Sequence, residues 1–481
     1  MSRSIQTQPV FGKTRHIHMV GIGGIGMSGM AEILLQRGFI VTGSDCSESE
    51  NTERLEKLGA KIFRGHDARH IEGANVVVYT SAVKAEENAE TTEALAHGIP
   101  VIKRAEMLAE LMRMKYGIGV AGTHGKTTTT TMTGLVVQAG DFDPTIIVGG
   151  RVHSFDKTNV VVGKGDIVIV EADEFDRTFL RLSPSLAVIT NIDIEHMDIY
   201  LDERDIKNAF IEFANKVPFY GAVVLCLDDS KLRSIIPEIE RRIITYGFTP
   251  QAQLRPVNIQ TSELHSRFTV LFEGKELGQI SVDAPGEHNI LNALAAVGIG
   301  LELGVPFEKI RKGFQKYSGV FRRFQIKYNN NNLLVVDDYA HHPTEVKATL
   351  SAARGGWPHR RIIAVFQPHL YSRTQQQYKE FGSSFFDAEK LILTDIYPSR
   401  EAPIEGVSGN MIAESARSFG HRDVRYVADK RDLANILANI AQPGDVIITM
   451  GAGDIYKYGE EFVKSLEDEN VETRSPKSKK K

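Results

Sequence analysis

Residues 120–128, with the sequence VAGTHGKTT, combine side chains that suit nucleotide phosphates. Small residues such as Gly122 and Gly125 let backbone N–H groups face an anion, and a lysine such as Lys126 can reach the outer phosphates. The hydroxyl of Thr127 could hold Mg²⁺, and a helix beginning near this threonine would add the positive end of its dipole. The match to G-x-x-x-x-G-K-[ST] is imperfect because Val120 occupies the place of the first glycine, so a glycine turn that only caps a helix is the alternative.

Two acidic strand ends follow this phosphate loop. IVIVEADEFD places Glu171 and Asp173 after an apolar strand, and NIDIEHMD offers further carboxylates around His196. Mg²⁺ takes oxygen ligands and keeps several waters, so two acidic strand ends after a phosphate loop favour a metal–nucleotide site over ordinary helix caps. From residue types alone, His196 is better interpreted as structural, because imidazole is not the preferred ligand of a hard ion.

A second glycine-rich loop lies near the N-terminus. In HIHMVGIGGIGMSG, residues 16–29, an apolar strand runs into G-x-G-x-x-G, and Asp45 follows about twenty residues later. This pattern is the dinucleotide-pyrophosphate fingerprint. The pattern predicts that the loop binds a pyrophosphate, but it does not identify the molecule that carries the pyrophosphate. Both an NAD-dependent oxidoreductase and an enzyme with a second nucleotide substrate are therefore open. A nucleotide-switch protein without catalysis is disfavoured by the Arg, His and acidic residues at later strand ends.

The elements that must position these loops follow an α/β pattern. Apolar strand runs alternate with helical patterns, which predicts largely parallel sheets whose carboxyl ends carry the ligands. We predict a small doubly wound domain over residues 1–110, a phosphate-loop domain over 111–320 and a third α/β domain over 321–465. The lysine-rich end, residues 466–481, is expected to be a flexible charged tail.

Composition limits the class of protein. A chain of 481 residues is expected to form two to four domains, and a net charge of −4 lacks the basic footprint of nucleic-acid binding. The two cysteines, Cys46 and Cys226, are far apart and form no disulfide framework, which fits a reducing cytosol. The N-terminal residues have no apolar signal core, and no apolar run approaches the ~20 residues of a membrane span. We expect a cytoplasmic protein without nucleic-acid partner or membrane insertion.

Taken in order, the sequence motifs resemble those of the Mur ligases from about residue 15 to 460. They are GIGGIGMSG, GTHGKTTT, EADE, NIDIEHMD, GEHNILNALAA, SGVFRRF, VVDDYAHHPTE, QPHLYSRT, DIYPSRE and GAGDIY. The resemblance implies an N-terminal Rossmann-like domain for a UDP-sugar, a central P-loop ATPase with a mostly parallel sheet, and a C-terminal Rossmann-like domain for an amino acid. We expect a monomer or a homodimer.

The resemblance also implies a reaction. ATP and Mg²⁺ would activate the lactyl carboxylate of UDP-N-acetylmuramate as an acyl phosphate, and L-alanine would then form an amide in peptidoglycan precursor synthesis. A ligase of the same family that joins a whole peptide to this UDP-sugar is the alternative. That enzyme usually carries Phe after the DD pair, where this chain has Tyr339.

For ATP, the resemblance assigns roles residue by residue. Lys126 is expected to hold the β- and γ-phosphates, and Thr127 and Glu171 the first Mg²⁺. His196 matches a histidine at a second metal, which reverses the interpretation from residue types. Arg323 is expected to stabilise the transferring phosphoryl group, as arginine fingers do. The expected ATP-binding residues are Gly122, Thr123, Gly125, Lys126, Thr127, Thr128, Asn289, Asn292 and Arg323.

The other two substrates would be bound by the terminal domains. The expected UDP-sugar residues are Gly21, Gly23, Gly24, Gly26, Met27, Ser28, Asp45 and Ser81. The expected amino-acid contacts are Tyr339, His342, His369 and Arg373, and the expected catalytic residues are Lys126, His196, Arg323, Asp338 and His341. Asp338 would support nucleotide positioning, and one of the two histidines His341 and His342 would take the proton of the attacking ammonium. Some relatives carry a second arginine at the position where this chain has Leu370. In this chain, one of the expected contacts to the carboxylate of the amino acid therefore has no assigned cation.

Overall fold

The structure is a computed structural model that describes residues 11–80, 82–193, 199–330, 332–399 and 401–474. Strands and helices alternate along these segments, as the alternation of apolar runs and helical patterns predicts. They form three β-sheets, each of them largely parallel. The predicted α/β class with mostly parallel sheets is therefore confirmed.

The first sheet has five parallel strands and contains the N-terminal glycine-rich loop. Its strands are β1 (His16–Val20), β2 (Ile40–Asp45), β3 (Lys61–Arg64), β4 (Val76–Tyr79) and β5 (Val101–Lys103). The helices between and after them are α1 (Ile25–Gln36), α2 (Glu50–Lys57), α3 (Ala89–Ala96) and α4 (Arg104–Arg113). The strand order is β3-β2-β1-β4-β5, so the order reverses beside β1, and the loop after β1 lies where open parallel sheets bind ligands.

The second sheet has ten strands and contains the phosphate loop. Its strands are β6 (Tyr116–Ala121), β7 (Thr145–Ile147), β8 (Val160–Val161), β9 (Ile167–Glu171), β10 (Leu186–Ile189), β11 (Ala222–Cys226), β12 (Ile243–Tyr246), β13 (Leu254–Ser262), β14 (His265–Phe272) and β15 (Lys275–Val282). The helices are α5 (Lys126–Ala139), α6 (Glu203–Asn215), α7 (Ser230–Ile235), α8 (Glu287–Glu302) and α9 (Phe307–Phe314). The strand order is β15-β14-β13-β12-β11-β10-β6-β9-β7-β8. Strand β6 lies between β10 and β9 in parallel pairing, so the phosphate loop follows an interior strand.

The third sheet has six strands in the order β16-β17-β21-β18-β19-β20. They are β16 (Gln325–Asn330), β17 (Leu333–Asp338), β18 (Ile362–Phe366), β19 (Lys390–Thr394), β20 (Val424–Val427) and β21 (Val446–Met450), and only β16 is antiparallel to its neighbour. The helices are α10 (Pro343–Gly356), α11 (Tyr371–Gly382), α12 (Asn410–Ser418), α13 (Leu433–Ile440) and α14 (Ile455–Arg474). Alternate residues of β17 enter two separate apolar clusters, Val336 in one and Val335 in the other. Helices therefore cover both faces, and the central strands are continuously apolar.

The chain divides into two compact units. The first contains the residues up to Val257 together with Thr269–Ile280 and Leu291–Ser318, and the second contains Asn258–Phe268, Ser281–Ile290 and the residues from Gly319 onward. The change at 318–319 lies close to the predicted boundary at 320. The predicted boundary at 110 falls inside α4, which continues to Arg113.

The C-terminal end corrects part of one prediction. We predicted a flexible tail from residue 466, but α14 continues to Arg474. Glu, Leu, Lys and Arg are good helix formers, and a charged stretch also suits the solvent side of a helix. Residues 475–481 lie outside the described residues. Within the described part of the chain, no helix has the length and apolar character that a membrane span requires.

Candidate active site

The N-terminal glycine-rich loop is fixed by β2. The N–H groups of Gly21 and Ile22 both donate to the carbonyl oxygen of Ser44, at 2.8 and 3.1 Å. Gly21 has φ +77°, and a Cβ atom at this position would lie 2.7 Å from a side-chain carbon of Thr80. Both observations explain why the turn requires glycine here.

Asp45 lies at this loop, as predicted, but its carboxylate is engaged by the loop itself. Its Oδ2 accepts a 2.9 Å hydrogen bond from the N–H of Gly23. Gly24 is the N-cap of α1 and Gly26 lies in its first turn, so these glycines line the helix start. The side chains of Met27 and Ser28 are buried, and the Ser28 hydroxyl donates to the carbonyl of Ile25.

Two side chains that the sequence did not single out complete the first loop. The amide of Asn51 donates to the carbonyl of Gly23 at 2.9 Å. Asn159, from the phosphate-loop domain, donates to the carbonyl of Ile25 at 2.8 Å. The predicted UDP-sugar residue Ser81 lies outside the described residues.

The phosphate loop connects β6 to α5, which begins at Lys126. Gly122 has φ +129° and Gly125 has φ +80°, conformations that side-chain-bearing residues rarely adopt. The hydroxyl of Thr123 accepts a 2.8 Å hydrogen bond from the N–H of Asp193, so the segment that follows β10 supports the loop. Thr128 follows in the first turn of α5 and is buried.

Lys126 lies in a buried network of oxygen atoms. Its ammonium donates to the carbonyls of Gly122 and Thr123 at 2.8 and 3.1 Å and to Oε2 of Glu174 at 2.7 Å. Burial alone would lower the pKa of Lys126, but the carboxylates of Glu174 and Asp173 raise it. Burial raises the pKa of Glu174 to about 7 although Lys126 opposes the shift. The lysine is thus charged, and Glu174 is a partner that we did not predict, although EADE contains it.

Thr127 and Glu171, the two described residues predicted to bind Mg²⁺, are in direct contact. The hydroxyl of Thr127 donates to Oε1 of Glu171 at 2.9 Å, and the N–H of Gly149 donates to Oε2 at 2.6 Å. Burial raises the pKa of Glu171, with smaller opposing effects from Gly149 and Lys126. A hydroxyl and a carboxylate oxygen side by side form a donor set that fits Mg²⁺. The predicted second metal ligand, His196, lies outside the described residues.

The two predicted asparagines lie on α8. The hydroxyl of Thr129 in α5 donates to Oδ1 of Asn292 at 3.0 Å, and a Cβ atom at Gly125 would lie 2.6 Å from the same oxygen. Asn292 therefore contacts the phosphate loop. Asn289 is buried, and its amide donates to the carbonyl of Pro285 at 2.7 Å.

In the second unit, Asp338 and Arg323 belong to one charged cluster. Asp338 accepts hydrogen bonds of 2.7 Å from the N–H groups of Phe324 and Ala340, and burial raises its pKa to about 6 against the opposing effect of Arg323. The guanidinium of Arg323 donates to Glu345 at 3.1 Å. Glu345 was not predicted, although HHPTE contains it.

Arg322 directly precedes Arg323 in the SGVFRRF motif, and its guanidinium is held by other residues of the protein. It donates to Oδ2 of Asp337 at 2.9 Å and to the carbonyls of Gly451 and Gly453. Its guanidinium also lies over the rings of Tyr339 and Tyr456, at 5.1 and 4.5 Å. It is not a simple surface charge.

Three of the four predicted amino-acid contacts cluster with His341. The ring of His341 lies 5.2 Å from Tyr339 and 5.9 Å from His369, and Nη1 of Arg373 lies 3.5 Å from Nδ1 of His369. Tyr397, from the DIYPSRE motif, stacks on His369 at 5.9 Å and was not predicted.

His342, the fourth predicted amino-acid contact, is the buried N-cap of α10. Its ring accepts from the N–H of Thr344.

Three family models match the chain in succession. They are described as Mur ligase family, catalytic domain, over residues 16–116; Mur ligase middle domain, over 120–300; and Mur ligase, glutamate ligase domain, over 322–453. Together they cover most of the chain and follow the three sheets in order. The predicted three-domain architecture is confirmed.

Curated relatives match over nearly the full length. The UDP-N-acetylmuramate–L-alanine ligase of Salinibacter ruber is 55% identical over 97% of this chain and 98% of its own. The enzyme of the same name from Geobacter sulfurreducens is 50% identical over 95% of this chain and 99% of its own. Among solved structures, the UDP-N-acetylmuramate–alanine ligase of Thermotoga maritima has a TM-score of 0.79 and 29% identity over 94% of this chain and 99% of its own. A murein peptide ligase from Psychrobacter arcticus shares the fold, with a TM-score of 0.67 and 22% identity over 94% of this chain and 98% of its own.

Proposed function

The chain belongs to the Mur ligase family, and from this premise we propose that it joins L-alanine to the lactyl carboxylate of UDP-N-acetylmuramate at the expense of ATP. The product would be a peptidoglycan precursor, made in the cytoplasm. The observation that carries the substrate assignment is the 55% identity to a ligase of that name over 97% of the chain.

The site geometry supports an ATP-dependent step. Lys126 is charged and lies at the start of α5, where the first N–H groups of a helix also face an anion. Thr127 and Glu171 would hold Mg²⁺, which supplies charge neutralisation when two anionic reactants approach. In this proposal Lys126 holds the outer phosphates, which brings the γ-phosphate into reach of the lactyl carboxylate.

Amide formation requires an uncharged amine and a bound carboxylate. We assign the carboxylate of L-alanine to Arg373, because a guanidinium fork matches a carboxylate geometrically. His341 lies in the same ring cluster, and an imidazole can take a proton from an ammonium near neutral pH. The amine then attacks the acyl carbon and phosphate leaves.

The runner-up is the family's peptide-joining ligase. The fold is shared with a murein peptide ligase at 22% identity, which is too distant to assign a substrate. Tyr339 favours the alanine enzyme, because the peptide-joining ligase usually carries Phe at this position, and the Tyr339 ring lies 5.2 Å from that of His341 in the proposed amino-acid site. An NAD-dependent oxidoreductase is disfavoured, because Lys126, Thr127 and Glu171 form a phosphate site that hydride transfer does not need.

One assay separates these functions. The protein is incubated with ATP, Mg²⁺ and UDP-N-acetylmuramate plus either L-alanine or the free tripeptide, and phosphate release and product mass are measured. We expect turnover with L-alanine and no change in nicotinamide absorbance when NADH is added. Turnover with the tripeptide alone would replace the proposal by the peptide-joining reaction.

A further inference from the structure

The adjacent histidines His341 and His342 have different surroundings. Nδ1 of His342 accepts from the N–H of Thr344 at 3.4 Å at the start of α10, and its Nε2 lies 3.1 Å from the side-chain nitrogen of Gln377. Both nitrogens of this ring therefore contact groups of the protein. His342 is also only 4% exposed, so its ring is suited to holding the start of α10 rather than to meeting a substrate.

The ring of His341 is held with its proton on Nδ1. This nitrogen lies 2.9 Å from the carbonyl oxygen of Tyr339 and 3.3 Å from Oε2 of Glu345. A carbonyl oxygen can only accept a hydrogen bond, so Nδ1 has to be the donor. A neutral imidazole carries one proton on its two nitrogens, and the lone pair of His341 that can take a proton is therefore on Nε2.

Glu345 holds this arrangement from the first turn of α10. Its Oε2 also accepts from the backbone N–H of His341 at 3.1 Å, and its Oε1 accepts from the guanidinium of Arg323 at 3.1 Å. The side chain of Glu345 is only 9% exposed. A helix cap explains the contact to the backbone N–H, but capping a helix requires neither the contact to the ring nor the contact to Arg323.

The charge of Glu345 acts on both of its partners. Burial alone would lower the pKa of Arg323, but the carboxylates of Glu345 and Asp338 raise it. The arginine is therefore charged, and a positive neighbour keeps Glu345 ionised. When Nε2 of His341 takes a proton, the new positive charge forms beside this carboxylate, which stabilises the imidazolium. A neutral residue at position 345 would leave the imidazolium beside Arg323 without the carboxylate.

We propose that Glu345 is a positioning residue for His341: it orients the ring so that Nε2 takes the proton of the ammonium, and it stabilises the protonated ring. The inference rests on the proposed function, which places L-alanine at this cluster. The amine that remains forms the C–N bond with the acyl carbon. The bond from this carbon to the phosphate oxygen breaks, and phosphate leaves with the electron pair and the second proton of the amine.

The test compares two nucleophiles for the acyl phosphate. L-alanine is an ammonium at neutral pH and has to lose a proton, whereas hydroxylamine is largely uncharged and can attack without a base. Wild type, Glu345→Gln, His341→Asn and the double variant are assayed with ATP, Mg²⁺ and UDP-N-acetylmuramate. The value of kcat/KM is measured for each nucleophile from the amide or hydroxamate formed.

The matched control is Glu389→Gln. Like Glu345, Glu389 accepts from an arginine and from a backbone N–H, at 2.5 Å from Arg354 and 2.6 Å from Ile362. Arg354 also lies on α10, at the end of the helix remote from His341. Glu389→Gln therefore removes the same kind of charge from the same helix without touching the ring, and we expect it to leave kcat/KM for both nucleophiles unchanged.

General base catalysis contributes about 10²- to 10⁴-fold. We expect His341→Asn to lower kcat/KM for L-alanine at least about 100-fold. Glu345→Gln should lower it about tenfold, the contribution of one charge-assisted contact. With hydroxylamine, we expect both variants to remain close to wild type. In the His341→Asn background, Glu345→Gln should cost little more, because the carboxylate acts through the imidazole.

Equal losses with both nucleophiles in Glu345→Gln would show that Glu345 acts through Arg323 or through folding, and would overturn the inference while the proposed function stands. Fully additive losses in the double variant would overturn it as well. Circular dichroism checks folding, and Glu345→Asp, which withdraws the carboxylate by one methylene, provides a second variant for the same comparison. If the wild type forms neither the alanine product nor the hydroxamate, the proposed function fails and this inference fails with it.

Discussion

The ammonium of Lys126 lies 2.7 Å from Oε2 of Glu174, and the two side chains are only 14% and 4% exposed. Removing one member of a buried ion pair leaves an uncompensated charge and costs about 3–5 kcal/mol. We therefore expect Lys126→Met to lower the free energy of unfolding by about 3–5 kcal/mol. Glu174→Gln should lower it by about 2–4 kcal/mol, because the amide of Gln retains one acceptor. The double variant should lose clearly less than the sum.

Wild type, the two single variants and the double variant form a double-mutant cycle. The control is the same cycle on Lys84 and Glu87, which pair at 2.9 Å but are 74% and 69% exposed. Exposed pairs contribute about 0–1 kcal/mol. Urea unfolding of the four variants in each cycle gives the two coupling energies. Equal coupling in both cycles would contradict the view that burial makes the Lys126 pair strong.

Glu171 should control the requirement for Mg²⁺. Glu171→Gln replaces a charged oxygen ligand by a neutral one beside Thr127, while the amide can still contact the N–H of Gly149. We expect the Mg²⁺ concentration for half-maximal activity to rise at least about tenfold, since carboxylates dominate Mg²⁺ binding by proteins. Glu203→Gln, which changes an acid of the same domain paired with Lys207 at 2.7 Å, serves as control and should leave the titration unchanged. An unchanged Mg²⁺ titration in Glu171→Gln would remove this residue from the metal site.

Glu90 should contribute to stability in a pH-dependent way. It is fully buried, and its carboxylate lies 2.8 Å from His70 and 2.6 Å from the Ser44 hydroxyl. Burial alone would raise the pKa of Glu90, but hydrogen bonds from His18, Ser44 and His70 outweigh it and hold the pKa at about 2. Because the folded pKa is below the unfolded value of about 4.5, the contribution is present above pH 4.5 and is lost as pH falls towards 2.

Urea unfolding of wild type and Glu90→Gln between pH 7 and pH 3 checks this sign. The stability difference between the two proteins should shrink by about 1.4 kcal/mol per pH unit below pH 4.5. Glu87→Gln, on an exposed side chain three residues earlier, should show a difference that barely changes with pH. A wild-type advantage over Glu90→Gln that stays constant down to pH 3 would mean that Glu90 is not held ionised.

Asn159 and Gly29 should be coupled through their contact. A Cβ atom at Gly29 would lie 2.8 Å from Nδ2 of Asn159, whose amide donates to the carbonyl of Ile25. We expect Gly29→Ala to cost about 1–3 kcal/mol, as overpacking does, and to raise KM for the UDP-sugar because α1 shifts. Asn159→Ala should restore part of this loss in the double variant. Strictly additive effects on stability and KM would show that the two residues do not interact.

The fold was predictable from sequence because its signals are local. An apolar run such as that before Gly122, followed by small and polar residues, identifies both a strand and the loop after it. Partners distant in sequence were not predictable. Glu174 contacts Lys126 across 48 residues of sequence, and Arg104 contacts the space beside Gly26 although four strands separate them along the chain. Neither contact leaves a periodic pattern in the sequence. Asp45 was predicted at the correct loop, but only the structure reveals that its carboxylate accepts from Gly23.

Leu370 offers a test of how the amino acid is held. It directly precedes α11 with φ +71°, and its N–H donates to the carbonyl of Tyr397 at 3.0 Å, so the backbone position is fixed. In our proposal Arg373, three residues later, binds the carboxylate of L-alanine. Leu370→Arg would add a second cation near the bound carboxylate. It should not change the backbone strain at residue 370, because Leu and Arg are equally strained at this positive φ.

We expect Leu370→Arg to lower KM for L-alanine by about tenfold, the gain of one charge-assisted hydrogen bond, with KM for ATP unchanged. Leu370→Gln has comparable polarity without charge and should give a smaller decrease. If KM for L-alanine stays the same or rises in a folded Leu370→Arg variant, the carboxylate does not lie within reach of residue 370. The binding role would then rest on Arg373 or on a different part of the cluster around His369.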